Sequence, residues 1–462
     1  MELELDKRCR SAALELLDWD ETTTIRAWVV RDIMRGRLAG AADPHGLRLC
    51  GARIEGRVDL ENIASGLSLE LSHCLLGEGL VARDAKLGGL YLTSCRLEHP
   101  SEPVLDAQRL VTSGMGLIKT IVEGDCPDPA VDVSGGHFGL FECSGAKLRN
   151  PGGAALNADG LKVDQYVHLK QGFEAVGSGD LGAVRLVGAH FGTLDFRDSK
   201  LCNESGAGLE ARSLTVERYA YLSDNFRIVG GGDHVALRLT DVCIAGVLEF
   251  SPAKLEHRSD SSARIDVDGL VYPRLPRGIS LDTWLSLLRG GTRSYAAQPY
   301  QHLAAVYRAA GHEGQTRRIL MGQRVDQIDR GALTSRAERV WARITGLTLG
   351  YGYQPWRALI GLGAVLAVAV TLAVIPGSRG GLAHPPLVGG TPVTVDCTVA
   401  EEVGVGLDFG TPLINSGARA RCEPTSTPNG QILAYSGWVL RLLAWSFATL
   451  FVAGFTGAVR KT

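Results

Sequence analysis

The chain contains few aromatic residues and few of the patterns that mark enzymes. Phenylalanine, tryptophan and tyrosine make up 6% of its 462 residues, whereas glycine occurs 58 times. This balance favours a regular backbone with many tight turns. The sequence has no C-x-x-C pair, no haem-attachment pattern and no G-x-S-x-G elbow, and its 11 histidines lack metal-ligand spacing. We therefore predict no catalytic residue, no metal site and no cofactor.

One glycine motif has the form of a dinucleotide-binding fingerprint. Residues 177–182 read GSGDLG, but a fingerprint needs a helix after it, because the helix N-terminus binds the pyrophosphate. The residues that follow, AVRLVGAHF, have the pattern of a strand. We predict a turn here rather than a nucleotide site.

The N-terminus, MELELDKRCR, lacks the apolar stretch of a secretory signal peptide. Two uncharged stretches occur later, at 358–375 and 442–459. In helical form each is about 27 Å long, close to the thickness of the bilayer core. We predict two transmembrane helices, although a buried core helix remains the alternative for each.

Basic residues are concentrated on one side of these two stretches. The loop at 377–433 contains three basic and five acidic residues, whereas arginine and lysine precede the first stretch and follow the second. The positive-inside rule then places both termini in the cytoplasm and the loop outside. Arg441, near the start of the second stretch, is expected to reach the outer membrane surface, with a pore lining as the alternative.

The segment Thr348–Gly352, TLGYG, differs by one apolar residue from the TVGYG filter of potassium channels. A filter lies between two spans, but this segment precedes the first one, and the residues before it are too charged to cross a bilayer. We predict instead a bend at the point where the chain enters the membrane. Tyr351, Tyr353 and Trp356 would form an aromatic belt at the interface, beside Arg357.

The ten cysteines divide between the two predicted sides of the membrane. Eight precede residue 250 and are expected to be reduced, since cytoplasmic thiols rarely form disulfides. Cys397 and Cys422 are alone in the loop, and we predict a disulfide between them.

A repeat with a period of five residues, called the beat below, runs through much of residues 46–275. In the stretch 183–201, AVRLVGAHFGTLDFRDSKL, a bulky residue recurs at every fifth position: Leu186, Phe191, Phe196 and Leu201. A period of five fits neither an α-helix nor a flat strand. It predicts a solenoid in which four units close a coil of about 20 residues, with these bulky residues in the core. Cys74 and Cys95 are separated by about one such coil and should then stack on adjacent turns.

This beat resembles that of the pentapeptide-repeat proteins. The resemblance implies a mainly β fold, a right-handed quadrilateral β-helix, although the family's Asp or Asn before the central residue is mostly replaced here by strings such as AHF, SKL and AKL.

The wider layout resembles a bacterial membrane-protein group, some of whose members carry the label membrane-associated oxidoreductase. The shared strings are IRAWVVRDIM, GLRLCGARIEGRVDL, YQHLAAVYRAAGHEGQTRRIL, GYGYQPWRAL and LFVAGFTGAVR. The resemblance implies a bacterial inner-membrane address but no mechanism.

Helical patterns flank the repeat on both sides. We predict helices within 11–37, with Ile25, Trp28, Val29, Ile33 and Met34 on one face, and at 280–289, 299–310, 313–329 and 334–347. Residues 276–357 contain 12 basic and five acidic residues. Four of these basic residues are candidates for contact with anionic lipid: Arg317, Arg318, Arg324 and Arg330.

These patterns predict six segments: an N-terminal helical cap (1–45), a β-helix (46–275), basic juxtamembrane helices (276–355), a first span (356–376), an extracytoplasmic loop (377–433), and a second span with a short tail (434–462). Residues 46–275 contain 31 acidic and 23 basic side chains, and we expect a solvated acidic face. The predicted function is a membrane-tethered scaffold for an unknown protein partner. The alternatives are a subunit of an oligomeric pore and, on the family label alone, an oxidoreductase. Nucleic acid is not an expected partner.

Overall fold

The structure is a computed structural model that describes residues 24–37, 46–180, 182–258, 264–330, 335–350, 354, 356–384, 396–411 and 416–461. The chain divides into two compact units, Met1–Leu320 and Met321–Thr462. The first unit is mainly β and the second is mainly α-helical. Each unit is described by itself.

The first unit is a β-solenoid of about nine turns, in which each strand pairs in parallel with the strands one turn before and after it. The first sheet consists of Thr24–Arg26, Arg53–Glu55, Leu75–Leu76, Arg96–His99, Ile121–Gly124, Lys147–Asn150, Phe173–Gly177, Ser199–Asn203, Arg227–Gly230 and Lys254–His257. The second sheet consists of Val58–Asp59, Leu80–Val81, Leu105–Asp106, Val131–Asp132, Leu156–Asn157, Val184–Arg185, Leu209–Glu210, Leu237–Arg238 and Ile265–Asp266.

The third sheet has two rows of strands, which join through the two long strands His190–Asp195 and Thr215–Leu222. Its first row consists of Lys86–Leu87, Val111–Thr112, His137–Phe138, Lys162–Val163 and Cys243–Ile244. Its second row consists of Leu47–Cys50, Ser68–Ser72, Gly89–Thr93, Met115–Ile118, Phe141–Glu142, Val167–His168 and Val247–Phe250. A full turn therefore contributes four short stretches of strand, one for each unit of the predicted beat.

The turn length predicted from four units of five is too short for most turns. Leu76 pairs with Leu97, which is close to the predicted length, but Leu97 pairs with Val122 and Val122 with Leu148. These later turns are longer because the connection between the first and second sheets is longer. The predicted stacking of Cys74 and Cys95 is confirmed, since the Cys74 backbone N–H lies 3.4 Å from the Cys95 sulfur. The beat of five thus describes the sides of the coil and not its whole circumference.

The core is apolar along the length of the solenoid. All four bulky residues of the 183–201 repeat are at most 1% exposed: Leu186, Phe191, Phe196 and Leu201. Burial of such side chains contributes about 1.5–3 kcal/mol each.

Two corners of each turn have a left-handed backbone, with φ between 46° and 77°. One corner is formed by Asn62, Asp84, Arg109, Gly135, Gly160, Gly188, Ser213, Asp241 and Gly269. The other is formed by Gly51, His73, Ser94, Lys119, Gly145, Gln171, Asp198 and Asp224. Because this conformation favours glycine and small polar residues, the corners account for part of the high glycine content.

Helices that precede and follow the solenoid in the sequence pack against its core. Helix α1 (Ala27–Met34) buries Ala27, Val30 and Met34. The predicted apolar face is therefore wrong for Trp28, which is 56% exposed, and for Ile25, which lies in the strand Thr24–Arg26 and not in the helix. After the last strand come α2 (Leu281–Gly290), α3 (Gln298–Ala309) and α4 (Glu313–Asp329). Trp284 of α2 packs edge-on against the Phe250 ring of the last turns, at 5.1 Å between centroids.

The second unit contains α5 (Arg336–Leu349), α6 (Trp356–Pro376), α7 (Val399–Gly410), α8 (Ala418–Arg421) and α9 (Pro428–Lys461). A π-helical turn, Gly377–Gly381, follows α6, and the strands Leu382–Ala383 and Glu423–Pro424 pair antiparallel. Within the described residues, two stretches are long and apolar enough to cross a membrane: Trp356–Gly381 and Pro428–Ala453.

The TLGYG segment begins as a helix. Thr348 and Leu349 end α5, and Gly350 closes it in the left-handed conformation. Tyr351, Gly352 and Tyr353 lie outside the described residues. A helix end at Gly350 agrees with the predicted bend.

Candidate functional site

One outward column of the solenoid contains polar and aromatic residues on successive turns. In the second row of the third sheet, neighbouring strands pair Glu70, Tyr91, Gly116, Glu142, His168, Asp195, Tyr221 and Glu249 in this order. The residues directly before and after each member of this column have side chains that face the core, because side chains alternate along a strand. We use the name aromatic row for the rings on this face: Tyr91, Tyr166, His168, Tyr219 and Tyr221.

Three glycines shape the surface around Tyr91. A Cβ atom added to Gly89, Gly114 or Gly116 would lie 2.5, 2.2 or 3.0 Å from atoms of the Tyr91 side chain. The tyrosine therefore lies directly on the backbone of its own and the following turn. Partial burial in this position raises the pKa of Tyr91.

The middle of the aromatic row is a stacked pair tied to a carboxylate. The rings of Tyr166 and His168 stack at 4.1 Å between centroids, and His168 Nδ1 lies 2.7 Å from Glu142 Oε2. Burial opposes ionisation of Glu142, but hydrogen bonds from His168 and Ser144 outweigh it and lower the pKa of this carboxyl. Glu142 is thus an ionised partner of His168.

The last part of the row combines two tyrosines with an arginine. The Tyr219 and Tyr221 rings stack at 5.8 Å, and the Arg197 guanidinium lies 4.4 Å from the centre of the Tyr221 ring. Arg197 also binds Asp195 at 2.7 Å, and Lys170 lies 3.3 Å from the same carboxylate. Although burial opposes it, this pairing lowers the pKa of Asp195.

The carboxylates of the outward column all have partners. Glu70 binds Arg48 at 2.9 Å, Glu142 binds His168, Asp195 binds Arg197, and Glu249 accepts a hydrogen bond from Ser223 at 2.7 Å. A paired, ionised carboxylate is a poor general base, whereas flat rings with fixed charges beside them suit binding. The surface is therefore suited to recognition.

The predicted solvated acidic face is wrong at several positions. Asp195 is 1% exposed, and Glu210 is buried between Arg212 and Arg238, at 2.7 Å from each. Asp106 and Asp132 are also buried. Three of these carboxylates bind a cation from an adjacent turn, namely Asp195 with Lys170, Glu210 with Arg238 and Asp106 with Arg83, whereas Asp132 accepts a hydrogen bond from the Asn157 side chain.

A cavity of about 660 Å³ lies beside the last turns of the second sheet and the start of α3. Its lining includes Arg238, Thr240, Asp266, Arg293 and Gln298. Thr240 Oγ1 is buried and has no hydrogen-bond partner among the described residues. The volume is in the range of ligand pockets, and the lining contains both acidic and basic groups.

Among the described residues the predicted free thiols are found at six positions, and Cys9 lies outside the described residues. Cys74, Cys95, Cys126, Cys143 and Cys202 are free and buried, and Cys243 is free and exposed. The prediction is wrong for Cys50, which is disulfide-bonded. In the second unit Cys397 and Cys422 form a disulfide, with 6.2 Å between their Cα atoms. His384 lies near both sulfurs, but sulfurs bonded to each other are not thiolate ligands.

The four candidate lipid-contacting arginines differ in their partners. Arg318 binds Asp282, and Arg330 binds Asp326 at 2.8 Å. Arg324 donates to Gln327 at 2.8 Å, and Arg317 is exposed. Arg317 and Arg324 are thus the two that have no acidic partner among the described residues.

The predicted interface residues lie at different positions of the candidate spans. Trp356 and Arg357 are exposed at the start of α6, and Tyr351 and Tyr353 lie outside the described residues. The described part of the second candidate span runs from Pro428 to Ala453, and Arg441 lies within it. Arg441 is exposed and has no acidic partner among the described residues.

Two acidic residues of α7 were not singled out from the sequence. Glu402 and Asp408 are 2% and 6% exposed, and each has one carboxylate oxygen without a partner among the described residues. Acidic side chains in a short, otherwise apolar helical segment were the available signal, but the loop was expected to lie in water. The aromatic row was also missed, because its members are far apart in sequence.

Comparisons with known proteins do not name a family for the chain. No family model, no curated protein and no solved structure matches it.

Proposed function

We propose that the chain is a membrane-tethered, non-enzymatic scaffold that recruits a protein partner through the aromatic row of its solenoid. Its two candidate spans anchor it in a bacterial plasma membrane, with both termini in the cytoplasm and residues 377–433 on the outer side. The observation that carries the proposal is the row itself: stacked rings beside Arg197, on a face whose carboxylates are already paired.

The composition of the row supports protein recognition. Tyrosine and arginine are enriched among the residues that dominate binding energy at protein interfaces. Tyr219 is 43% exposed and so has apolar area to bury. A partner that covers the row would order few side chains, because the solenoid already holds Tyr91, Tyr166 and Tyr221 against neighbouring groups.

A photo-crosslinker at the row tests this proposal. We would replace Tyr219 with p-benzoylphenylalanine in the full-length chain, irradiate cells, and identify adducts by mass spectrometry. The control places the same group at Arg227, an exposed residue of the first sheet. We expect one protein to be captured at 219 and not at 227. Equal capture at both positions, or none at 219, would contradict the scaffold.

A thiol-labelling experiment at Cys243 tests on which side of the membrane the solenoid lies, because this cysteine of the solenoid is free and exposed. A membrane-impermeant maleimide should label it in inside-out vesicles but not in intact cells, and the Cys243→Ser chain gives the background. Labelling in intact cells would place the solenoid on the outer side.

An oligomeric pore is a second candidate, favoured by Arg441. A guanidinium within a span is costly in lipid, so such residues face a protein interior or a water-filled cavity. If several copies line a pore with this residue, Arg441→Leu should change ion flux into proteoliposomes at least tenfold, whereas Arg357→Leu should not. Equal flux with native protein and with empty liposomes would reject the pore.

A further inference from the structure

Helix α7 packs along the outer half of α6 with backbone against backbone. A Cβ atom added to Gly406 would lie 2.6 Å from Val370 Cα, and one added to Gly410 would lie 3.0 Å from Leu366 Cα. Residues later in α7 thus meet residues earlier in α6, and the two helices run antiparallel. Such close approach is possible only because both contact residues are glycines.

These contacts define how far α7 reaches along α6. Leu366 precedes Pro376, the last residue of α6, by a helical distance of about 15 Å. That is half of the roughly 30 Å hydrocarbon core of a bilayer. If α6 crosses the membrane, the end of α7 at Gly410 lies near the middle of it.

Protein contacts hold α7 in place at both of its ends. At the outer end Thr398 and Glu401 form a capping box, and the Cys397–Cys422 disulfide joins the residue before Thr398 to the end of α8. At the inner end a Cβ atom on Gly437 of α9 would lie 2.5 Å from the Phe409 ring. Backbone that is buried in protein in this way is tolerated at membrane depth.

Burial along α7 follows the same direction. Val399 is exposed, whereas Asp408, Phe409 and Gly410 are buried. Asp408 Oδ1 accepts a hydrogen bond from the Ser416 backbone N–H at 2.6 Å. Its Oδ2 atom is buried and has no partner among the described residues. The inner end therefore has an unpartnered carboxylate oxygen beside the negative end of a helix dipole.

We propose that α7 is a re-entrant helix, and that its inner end, with Asp408, binds a monovalent metal cation. The proposal rests on the membrane anchoring proposed above. Carboxylate and helix C-terminal carbonyl oxygens are hard donors that suit alkali ions, and half-helix C-termini at mid-membrane depth coordinate such ions in transporters. A cation there would satisfy the oxygen that the described chain leaves without a partner.

A depth measurement tests the position of α7. In a full-length chain that retains only Cys397 and Cys422, a single spin-labelled cysteine is placed at Leu407, at Val368 of α6, or at Ile432 near the start of α9. We expect the labels at 407 and 368 to be shielded from aqueous relaxant and the label at 432 to be more accessible. Lipid exposure at 368 with full water access at 407 would overturn the re-entrant helix alone. Water access at 368 as well would overturn the anchoring itself.

Thermal unfolding of the full-length protein in detergent tests the cation. Potassium or sodium chloride replaces choline chloride at constant ionic strength, so only the cation changes. We expect the native Tm to rise by about 3 °C in an alkali salt, and the rise to disappear in Asp408→Asn and to remain in Glu402→Gln. Equal native Tm values in alkali and choline salts, or a rise that persists in Asp408→Asn, would overturn the site.

The native protein decides the question if Asp408→Asn does not fold. Sodium-23 relaxation with native protein should show bound sodium that potassium displaces and choline does not. Relaxation equal to that of buffer with protein-free detergent would overturn the site.

Discussion

The two units differ in whether their buried carboxylates have partners. In the solenoid, Asp195 and Glu210 are as deeply buried as Asp408, yet each binds two cationic groups on its own or an adjacent turn. In the second unit, Glu402 and Asp408 each retain an oxygen without a partner among the described residues. Unpaired burial of a charged group is costly. The solenoid charges therefore stabilise a frame, whereas those of α7 are candidates for function.

The largest expected effect comes from the solenoid core. Phe191→Ala removes a fully buried ring and should lower the free energy of unfolding by about 3–5 kcal/mol. Tyr219→Ala, on the exposed side of the same sheet, should lower it by less than about 1 kcal/mol. Thermal unfolding of the two full-length variants measures the difference. Equal losses would mean that the aromatic row is part of the fold rather than a surface.

The next largest effect is a change in Tm when a glycine in close contact with a neighbouring helix is replaced by alanine, compared with a glycine that has free space around it. A methyl at Gly406 would overlap the α6 backbone, so Gly406→Ala should separate α7 from α6 and lower Tm by about 4 °C or more. Nothing lies within 4 Å of a Cβ atom at Gly363 of α6, so Gly363→Ala should leave Tm unchanged or raise it slightly. Both values come from scanning calorimetry in detergent. A tolerated Gly406→Ala would weaken the close packing on which the depth of α7 depends.

A smaller effect, with a pH signature, is expected at Asp195. Its folded-state pKa is lowered, so its pairing with Arg197 and Lys170 stabilises the fold above its unfolded pKa of about 3.9 and is lost as pH falls through the lower folded value. Asp195→Asn should lower stability by about 1–3 kcal/mol at pH 7. The gap between native and variant should then narrow as pH falls below 4. A gap that stays constant from pH 7 to pH 3 would contradict the pairing.

The smallest effect is expected at an unpartnered polar group of the first unit. Thr240 has a buried hydroxyl without a partner among the described residues, beside the 660 Å³ cavity. Thr240→Val keeps the shape and removes only this hydroxyl, so stability should change by less than about 1 kcal/mol, or rise. A clear loss in equilibrium unfolding would show that the hydroxyl is satisfied in solution, and would make the cavity a wet, occupied site.

The sequence predicted local features well. The beat of Leu186, Phe191, Phe196 and Leu201 indicated a solenoid core, because a short repeat places the same residue type in the same position of each turn. The helix at 313–329 was predicted with the observed bounds. The turn length could not be predicted in the same way, because residues added between the first and second sheets leave the beat within each side unchanged.

The aromatic row shows why surfaces are harder to predict than cores. Tyr91 and Tyr221 lie on the same face, yet several turns of the solenoid separate them in the sequence, and the longer turns shift each ring relative to the period that the beat predicts. Trp28 shows the same limit, since a helical pattern identifies an apolar face but not which of two neighbouring stripes meets the core.

The amino-acid order by itself determined the repeat, the two apolar stretches and the pairing candidates Cys397 and Cys422, because these depend on spacing along the chain. Only the tertiary structure decided which charges are buried with partners and which without, since this depends on residues from different turns or helices. It also decided that Gly406 and Gly410 bring α7 against α6, a contact between segments that are distant in the sequence. Spacing defines elements, and packing decides what each charged group faces.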